Sequence, residues 1–363
     1  MFYYLSLLRA EYFPLNIFKY ITFRAGMAAV TTFLICIIVG PWFIRKLKEW
    51  NLGEKPVMGQ GRGQILGEEL KSKQGTPTMG GILIIGSIIL SVLFWADLSN
   101  PYILLTILTS IWLAVLGFFD DYMKLSGRKK NGLSARTKMI WQVLLAGLVS
   151  FYVYSQLHVA TTLDVPFMKN LVIDLGAFYM LFVMGVVVGT SNAVNLTDGL
   201  DGLAIGCTLI VAITLGFLCY VSGNVNFSEY LFIPYLPGTG ELTVFCAAIV
   251  GASLGFLWFN AHPADIFMGD VGALALGGTL GIIAVFIKKE LLLVILGGVF
   301  VWEALSVILQ VTSYKLTRKR IFLCSPYHHH LQKINWKESK IVIRFWIAGI
   351  ILALLTLTTL KIR

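Results

Sequence analysis

Long apolar runs alternate with short polar breaks along the whole chain. Ten such runs occupy roughly 22–43, 79–96, 101–119, 139–157, 171–190, 203–221, 240–259, 266–287, 291–312 and 341–360. Each is near the ~20 residues that cross a bilayer as a helix. Gly and Pro interrupt several runs, as membrane helices tolerate. The glycine-rich stretches Ala273–Gly281 and Gly297–Gly298 predict close helix packing or a break. The pattern predicts an all-α, polytopic membrane protein with about ten transmembrane helices, a single unit over 1–363 without an internal repeat. Residues 1–21 are rich in Phe, Tyr and Leu but broken by Arg9, Glu11 and Lys19. They read as an interfacial segment rather than a cleaved signal.

Composition agrees. Of 363 residues, 57% are hydrophobic and 13% charged, against about 25% charged in a soluble domain. Mean hydropathy is +0.79. A soluble globule, a disordered chain, collagen and a disulfide scaffold are excluded. Cys36, Cys207, Cys219, Cys246 and Cys324 form no CxxC, and the first four lie in or beside apolar runs, so they read as small core residues.

The net charge of +10 is unevenly spread. Segments 44–78, 120–138 and 313–340 hold seven, six and seven basic residues. The intervening loops 97–100, 158–170, 222–239 and 288–290 hold only Lys169, Lys288 and Lys289. The positive-inside rule puts the basic set in the cytoplasm, and ten spans then leave both termini outside. Segments 191–202 and 260–270 fall on the same cytoplasmic face, although they carry almost no basic charge.

That face collects the polar chemistry. Phe118-Phe119-Asp120-Asp121-Tyr122 ends a span with two adjacent carboxylates at a helix C-terminus, where the dipole disfavours them. A divalent metal with phosphate would stabilise the pair; so would a solvated loop start neutralised by Lys124 and Arg128. Asn195-Leu196-Thr197-Asp198-Gly199-Leu200-Asp201-Gly202 precedes the next span. If the loop turns helical there, Asp198 and Asp201 share a face, and free N–H groups could hold a nucleotide or phosphate. The other reading is an ordinary capped helix start. Asp270 lies just inside an apolar run with no base nearby in sequence, which favours a metal over a structural hydrogen bond. Glu303, also within a span, reads as a helix–helix hydrogen bond. Consecutive His328, His329 and His330 would point about 100° apart on a helix, so they suit phosphate contacts better than one zinc ion. Lys73 precedes a turn-rich entry to the second span and could reach an anion. No Ser-His-Asp order, Walker A loop or dinucleotide fingerprint is present. The inventory fits phosphoryl transfer at the inner membrane face.

Six motifs, in order, carry a resemblance: Gly75-Thr76-Pro77-Thr78-Met79-Gly80-Gly81, Phe118 to Tyr122, Asn192 to Gly202, Phe256-Leu257-Trp258-Phe259-Asn260, Met268-Gly269-Asp270-Val271-Gly272 and the His328–His330 run. Together they resemble the phospho-N-acetylmuramoyl-pentapeptide transferase family of polyprenyl-phosphate N-acetylhexosamine-1-phosphate transferases, over the whole chain. Residues 59–73 depart from the acidic-Gly-Pro-x-Ser-His stretch usual there. The resemblance implies ten membrane helices around a cytoplasmic-face active-site cleft. It implies transfer from UDP-N-acetylmuramoyl-pentapeptide to undecaprenyl phosphate, releasing UMP, with Mg2+ as cofactor. Asp120, Asp121, Asp270 and His328 correspond to catalytic residues, Asp270 being the magnesium ligand. Lys73, Lys124, Lys138, Asn195, Asp198, Asp201, Asn260, His329 and His330 correspond to substrate contacts. The partners implied are the two substrates and the bilayer of a bacterial inner membrane, with no nucleic acid. A second copy of the chain, in a homodimer, is a further partner the resemblance allows. The same inventory has two rival readings, a related N-acetylglucosamine-1-phosphate transferase and a cation-coupled transporter.

Overall fold

The computed structural model describes residues 1–10, 12–50, 75–126, 132–155, 161–168 and 172–361. Among them, nine helices are long and apolar enough to cross a membrane, and a tenth, Gly81–Trp95, is apolar but shorter. The all-α architecture follows from the apolar runs, because only a helix satisfies its own backbone in lipid.

Several boundaries moved for local reasons. The third apolar run continues to Leu125, so Asp120 and Asp121 are helical rather than loop-borne. Asn100 caps its start, accepting from the Tyr102 N–H at 2.9 Å. The run expected at 171–190 begins as a helix only at Phe178. Val172–Asp174 instead pairs antiparallel with Thr162–Asp164 in a short hairpin, ended by Asp174, whose Oδ1 accepts from Gly176 N–H at 2.9 Å. The run at 291–312 breaks at Gly297 into Glu290–Leu296 and Gly298–Thr317. Residues Phe2–Ala10 and Phe13–Lys19 form 3-10 segments. Phe2 packs its ring 4.8 Å from that of Trp95.

Gly269–Phe286 is the central helix, buried throughout from Val271 to Phe286. It packs between Pro101–Leu125 and Phe178–Thr197. Polar side chains tie these helices at depth: Ser110 and Thr279 share a hydrogen bond of 2.7 Å, and the Ser191 hydroxyl donates to Leu274 O at 3.0 Å. Such bonds stabilise membrane bundles, where lipid removes the hydrophobic drive between helices.

Close backbone contact does the rest. A Cβ on Gly117 would run into the backbone of Asp270 and Val271, and one on Gly81 would run into Gly272. Both glycines let a neighbouring helix approach the start of Gly269–Phe286. On the opposite side, Ile21–Glu49 packs along Leu242–Asn260, which in turn meets Leu203–Ser222.

The up-and-down order brings one set of helix ends together: the C-termini of Pro101–Leu125, Phe178–Thr197 and Leu242–Asn260, and the N-termini of Ala135–Ser155, Leu203–Ser222, Gly269–Phe286 and Glu338–Thr358. Replacing Gly117 with Val should therefore push the Asp270 turn off the neighbouring helix. We expect a loss of roughly 1–3 kcal/mol from overpacking, read as a lowered Tm in detergent, with activity lost alongside.

Candidate active site

Two acids come from one helix and the third from the helix packed on it. Asp120 and Asp121 sit on the last turns of Pro101–Leu125, Asp270 on the first turn of Gly269–Phe286. Their carboxylate oxygens lie within 4.8 Å of one another. All three side chains are largely buried, at 0%, 5% and 15% exposure. Repulsion at that range in a low dielectric must be offset by cations.

Two lysines supply them. Lys124, one helical turn after Asp120, places Nζ 2.6 Å from Asp120, 3.6 Å from Asp121 and 3.1 Å from Asp270. Lys138, from the first turn of Ala135–Ser155, lies 2.7 Å from both Asp120 and Asp270. The remaining oxygens are held by neutral donors. Leu133 N–H donates to Asp120 at 2.7 Å, Val271 N–H to Asp121 at 3.3 Å, and the Asn195 amide to Asp270 at 2.9 Å. Gly269, at φ +73°, turns the chain tightly enough that a Cβ there would contact Asp121 and Thr78. Five residues named from the sequence, with Asn195 as a sixth, thus meet at one point.

The neighbouring turn, between Phe178–Thr197 and Leu203–Ser222, holds Asp198 and Asp201. The structure corrects their expected helical placement. Asp198 is the C-cap of the preceding helix, and Gly202 at φ +77° is the N-cap of the next. Neither acid begins a helix, because the chain turns through the left-handed region that Gly202 allows. Asp201 is buried; its carboxylate lies 3.1 Å from His262 Nδ1 and accepts from Ala264 N–H at 3.2 Å. Its own N–H donates to Glu338 at 2.8 Å. Asn260 braces the same place, accepting from Gly202 N–H at 3.0 Å and donating to Ile266 O at 2.8 Å. His262 and Glu338 were not singled out in the sequence. Nothing local marks them, since their partners are far along the chain.

The three histidines diverge on the short helix Tyr327–Lys333. His328 is fully buried against Glu303 and Gly199. His329 Nδ1 lies 2.8 Å from Gln332 Oε1, and His330 Nδ1 accepts from Leu323 N–H at 3.2 Å. None of these contacts is to the acid cluster. Glu303 does bond across to another helix, as expected of it. Lys73 lies outside the described residues.

Chemically, three carboxylates outnumber two ammoniums by one at the cluster. Hard oxygen donors of this kind suit a small divalent cation. Lysines and an amide beside them suit the oxygens of a diphosphate. Acids gathered at one end of the bundle disfavour a transporter, which would carry them near mid-membrane.

A model of glycosyl transferase family 4 matches residues 103–288, and a phospho-N-acetylmuramoyl-pentapeptide-transferase signature matches residues 73–85. That signature begins at Lys73. Proteins named phospho-N-acetylmuramoyl-pentapeptide-transferase are similar along the full length. The one from Citrifermentans bemidjiense is 52% identical over 356 residues, 98% of each chain. Those from Koribacter versatilis and Desulfotalea psychrophila are 50% and 49% identical, over 96% and 100% of this chain.

Because Asn260 satisfies two backbone groups, Asn260→Ala should strand both. We expect a loss of roughly 2–4 kcal/mol, at about 1–3 kcal/mol per unsatisfied group. Thermal denaturation would read this, and Asn260→Asp should keep the Gly202 bond and lose less.

Proposed function

The chain belongs to the phospho-N-acetylmuramoyl-pentapeptide-transferase family, and we propose that it works through the cluster of Asp120, Asp121 and Asp270. It transfers phospho-N-acetylmuramoyl-pentapeptide from its UDP-linked donor to undecaprenyl phosphate, giving lipid I and UMP, in the first membrane step of peptidoglycan synthesis. The meeting of three acids, two lysines and Asn195 at one point is the observation that carries the site assignment.

Asp270, assisted by Asp120 and Asp121, would hold Mg2+. The three are all-oxygen donors with a net negative surplus, which fits that ion. When bound, the ion neutralises diphosphate charge and polarises the phosphorus under attack. The other steps belong to this chain's residues and to the substrates. An oxygen of the lipid phosphate forms a new bond to the sugar-linked phosphorus of the donor. The bond from that phosphorus to the bridging oxygen breaks, and UMP leaves with the electron pair. A phosphate monoester has its second pKa near about 6, so the attacking oxygen is already largely ionised at neutral pH. A strong base is not required, and Asp120 or Asp121 can take any residual proton. Lys124 and Lys138, released from the carboxylates, would follow the charge onto the diphosphate oxygens. Asn195 would orient Asp270. Asp198, Asp201 and Asn260 would shape the nucleotide end of the cleft, with His329, His330 and Lys73 contacting phosphate oxygens.

We further read the cluster as facing the cytoplasm. The support is charge: the helix ends around it carry the basic segments, and the opposite loops carry few.

The decisive assay uses purified full-length chain with both substrates and magnesium, following UMP release. Asp270→Asn should lower kcat by about 10²–10³-fold, the scale of one lost electrostatic contact, and should flatten the magnesium titration. Full turnover with unchanged magnesium dependence would sink the metal assignment. In the same assay Lys138→Met should lower kcat by at least about tenfold, while Lys138→Arg recovers part of it.

A further inference from the structure

One buried acid has no part in the reaction proposed above. Glu303 sits fully buried in the membrane helix Gly298–Thr317. A carboxylate at such a place is costly unless paired. Among the described residues its hydrogen-bond partners are all on His328: the backbone N–H at 3.2 and 3.4 Å from its two oxygens, and Nδ1 at 3.0 Å. The backbone bond caps the first turn of Tyr327–Lys333, whose N-cap Pro326 offers no side-chain acceptor.

The side-chain contact sets the imidazole. Both Glu303 oxygens already accept from the His328 backbone N–H, so the carboxylate meets Nδ1 as an acceptor and Nδ1 carries the proton. His328 Nε2 is buried with no hydrogen-bond partner among the described residues. A proton there would make it an orphaned buried donor, which folded proteins avoid more strictly than an orphaned acceptor. The Nε2 edge instead abuts residue 199, where a Cβ would overlap it. Residue 199 is glycine, without a positive φ to demand one. The glycine is explained by the ring it meets.

We propose that Glu303 and His328 are positioning residues for the turn 198–202. Glu303 fixes the Nδ1–H tautomer of His328, and the ring edge, with its bare Nε2, seats Gly199. The turn that bears Asp198 and Asp201 thereby has one resting place. On its other flank it is tied by Glu338 and Asn260. Because Nε2 is sealed against Gly199, His328 acts through the turn. The inference rests on the reading that this turn shapes the nucleotide end of the cleft.

The test is a size-compensation cycle in full-length chain. Gly199→Ala should raise the donor KM about tenfold, with kcat within about threefold, as overpacking of the binding turn requires. Adding His328→Ala to Gly199→Ala should bring KM back toward that of the parent, the non-additive outcome of two residues in contact. The proposal is overturned if the double variant is no better than Gly199→Ala, or if His328→Ala alone loses kcat as heavily as Asp270→Asn with KM unchanged. Histidine-¹⁵N NMR adds a readout without substrate. The resonances lost in His328→Gln should show Nδ1 protonated and Nε2 bare; a protonated Nε2 overturns the tautomer lock. Thermal denaturation of the same cycle should compensate likewise, and lack of compensation there overturns the contact. Both measurements stand whatever Asp270→Asn does to turnover, so failure of the functional reading is told apart from failure of this one.

Discussion

Neutralising three carboxylates in a low-dielectric bundle is the constraint on which this molecule turns. Two unit charges about 4 Å apart at an effective dielectric of 20 interact by ~4 kcal/mol. Asp120, Asp121 and Asp270 would drive their helices apart without compensation. Lys124 and Lys138 hold them together at rest, each bridging helices rather than pairing with one acid. The same ammoniums are suited to a diphosphate, so the site is assembled from charges ready to change partners. Carboxylates still outnumber ammoniums there, which favours a bound cation.

Holding the acids at this range is a packing problem, and glycine solves it. Gly117 and Gly81 let two helices touch the backbone at the start of Gly269–Phe286. The segment before Gly81 also pairs with the chain leading to Asp270: Phe267 N–H donates to Pro77 O at 2.8 Å, and Gly80 and Gly81 N–H donate to Phe267 O and Met268 O at 2.9 and 2.8 Å. The Thr-Pro-Thr-Met-Gly-Gly motif therefore works as a backbone brace for Asp270. On the far side, Asp201, Asn260, His262 and Glu338 tie the 198–202 turn to the 261–266 loop and to the last helix. The acid cluster is thus flanked by two fixed loops.

Much of this was legible in the chain. Apolar runs marked each membrane helix, since a span must be continuous and about bilayer length, with its ends displaced by up to seven residues. Boundaries failed where local chemistry overruled hydropathy. Asp120, Asp121 and Lys124 extend a helix because their charges pair along and across it, and Val172–Asp174 leaves a helix to form a hairpin. Asp120, Asp121, Asp270, Lys124, Lys138 and Asn195 stood out because polar groups beside apolar runs need a reason. Asp198 and Asp201 stood out likewise, but their shared helical face did not survive the left-handed turn at Gly202.

Sequence alone determined that this chain is built of membrane-spanning helices and which polar residues stand beside its apolar runs, since both follow from local composition and charge. The tertiary structure decided which carboxylates share a lysine, why Gly199 and Gly117 are glycines, and that Glu303 and Glu338 hold His328 and the Asp201 turn. Most of those contacts join residues 25 to 146 positions apart. No spacing rule encodes them, because they exist only once helix packing has brought backbone and side chain within van der Waals reach.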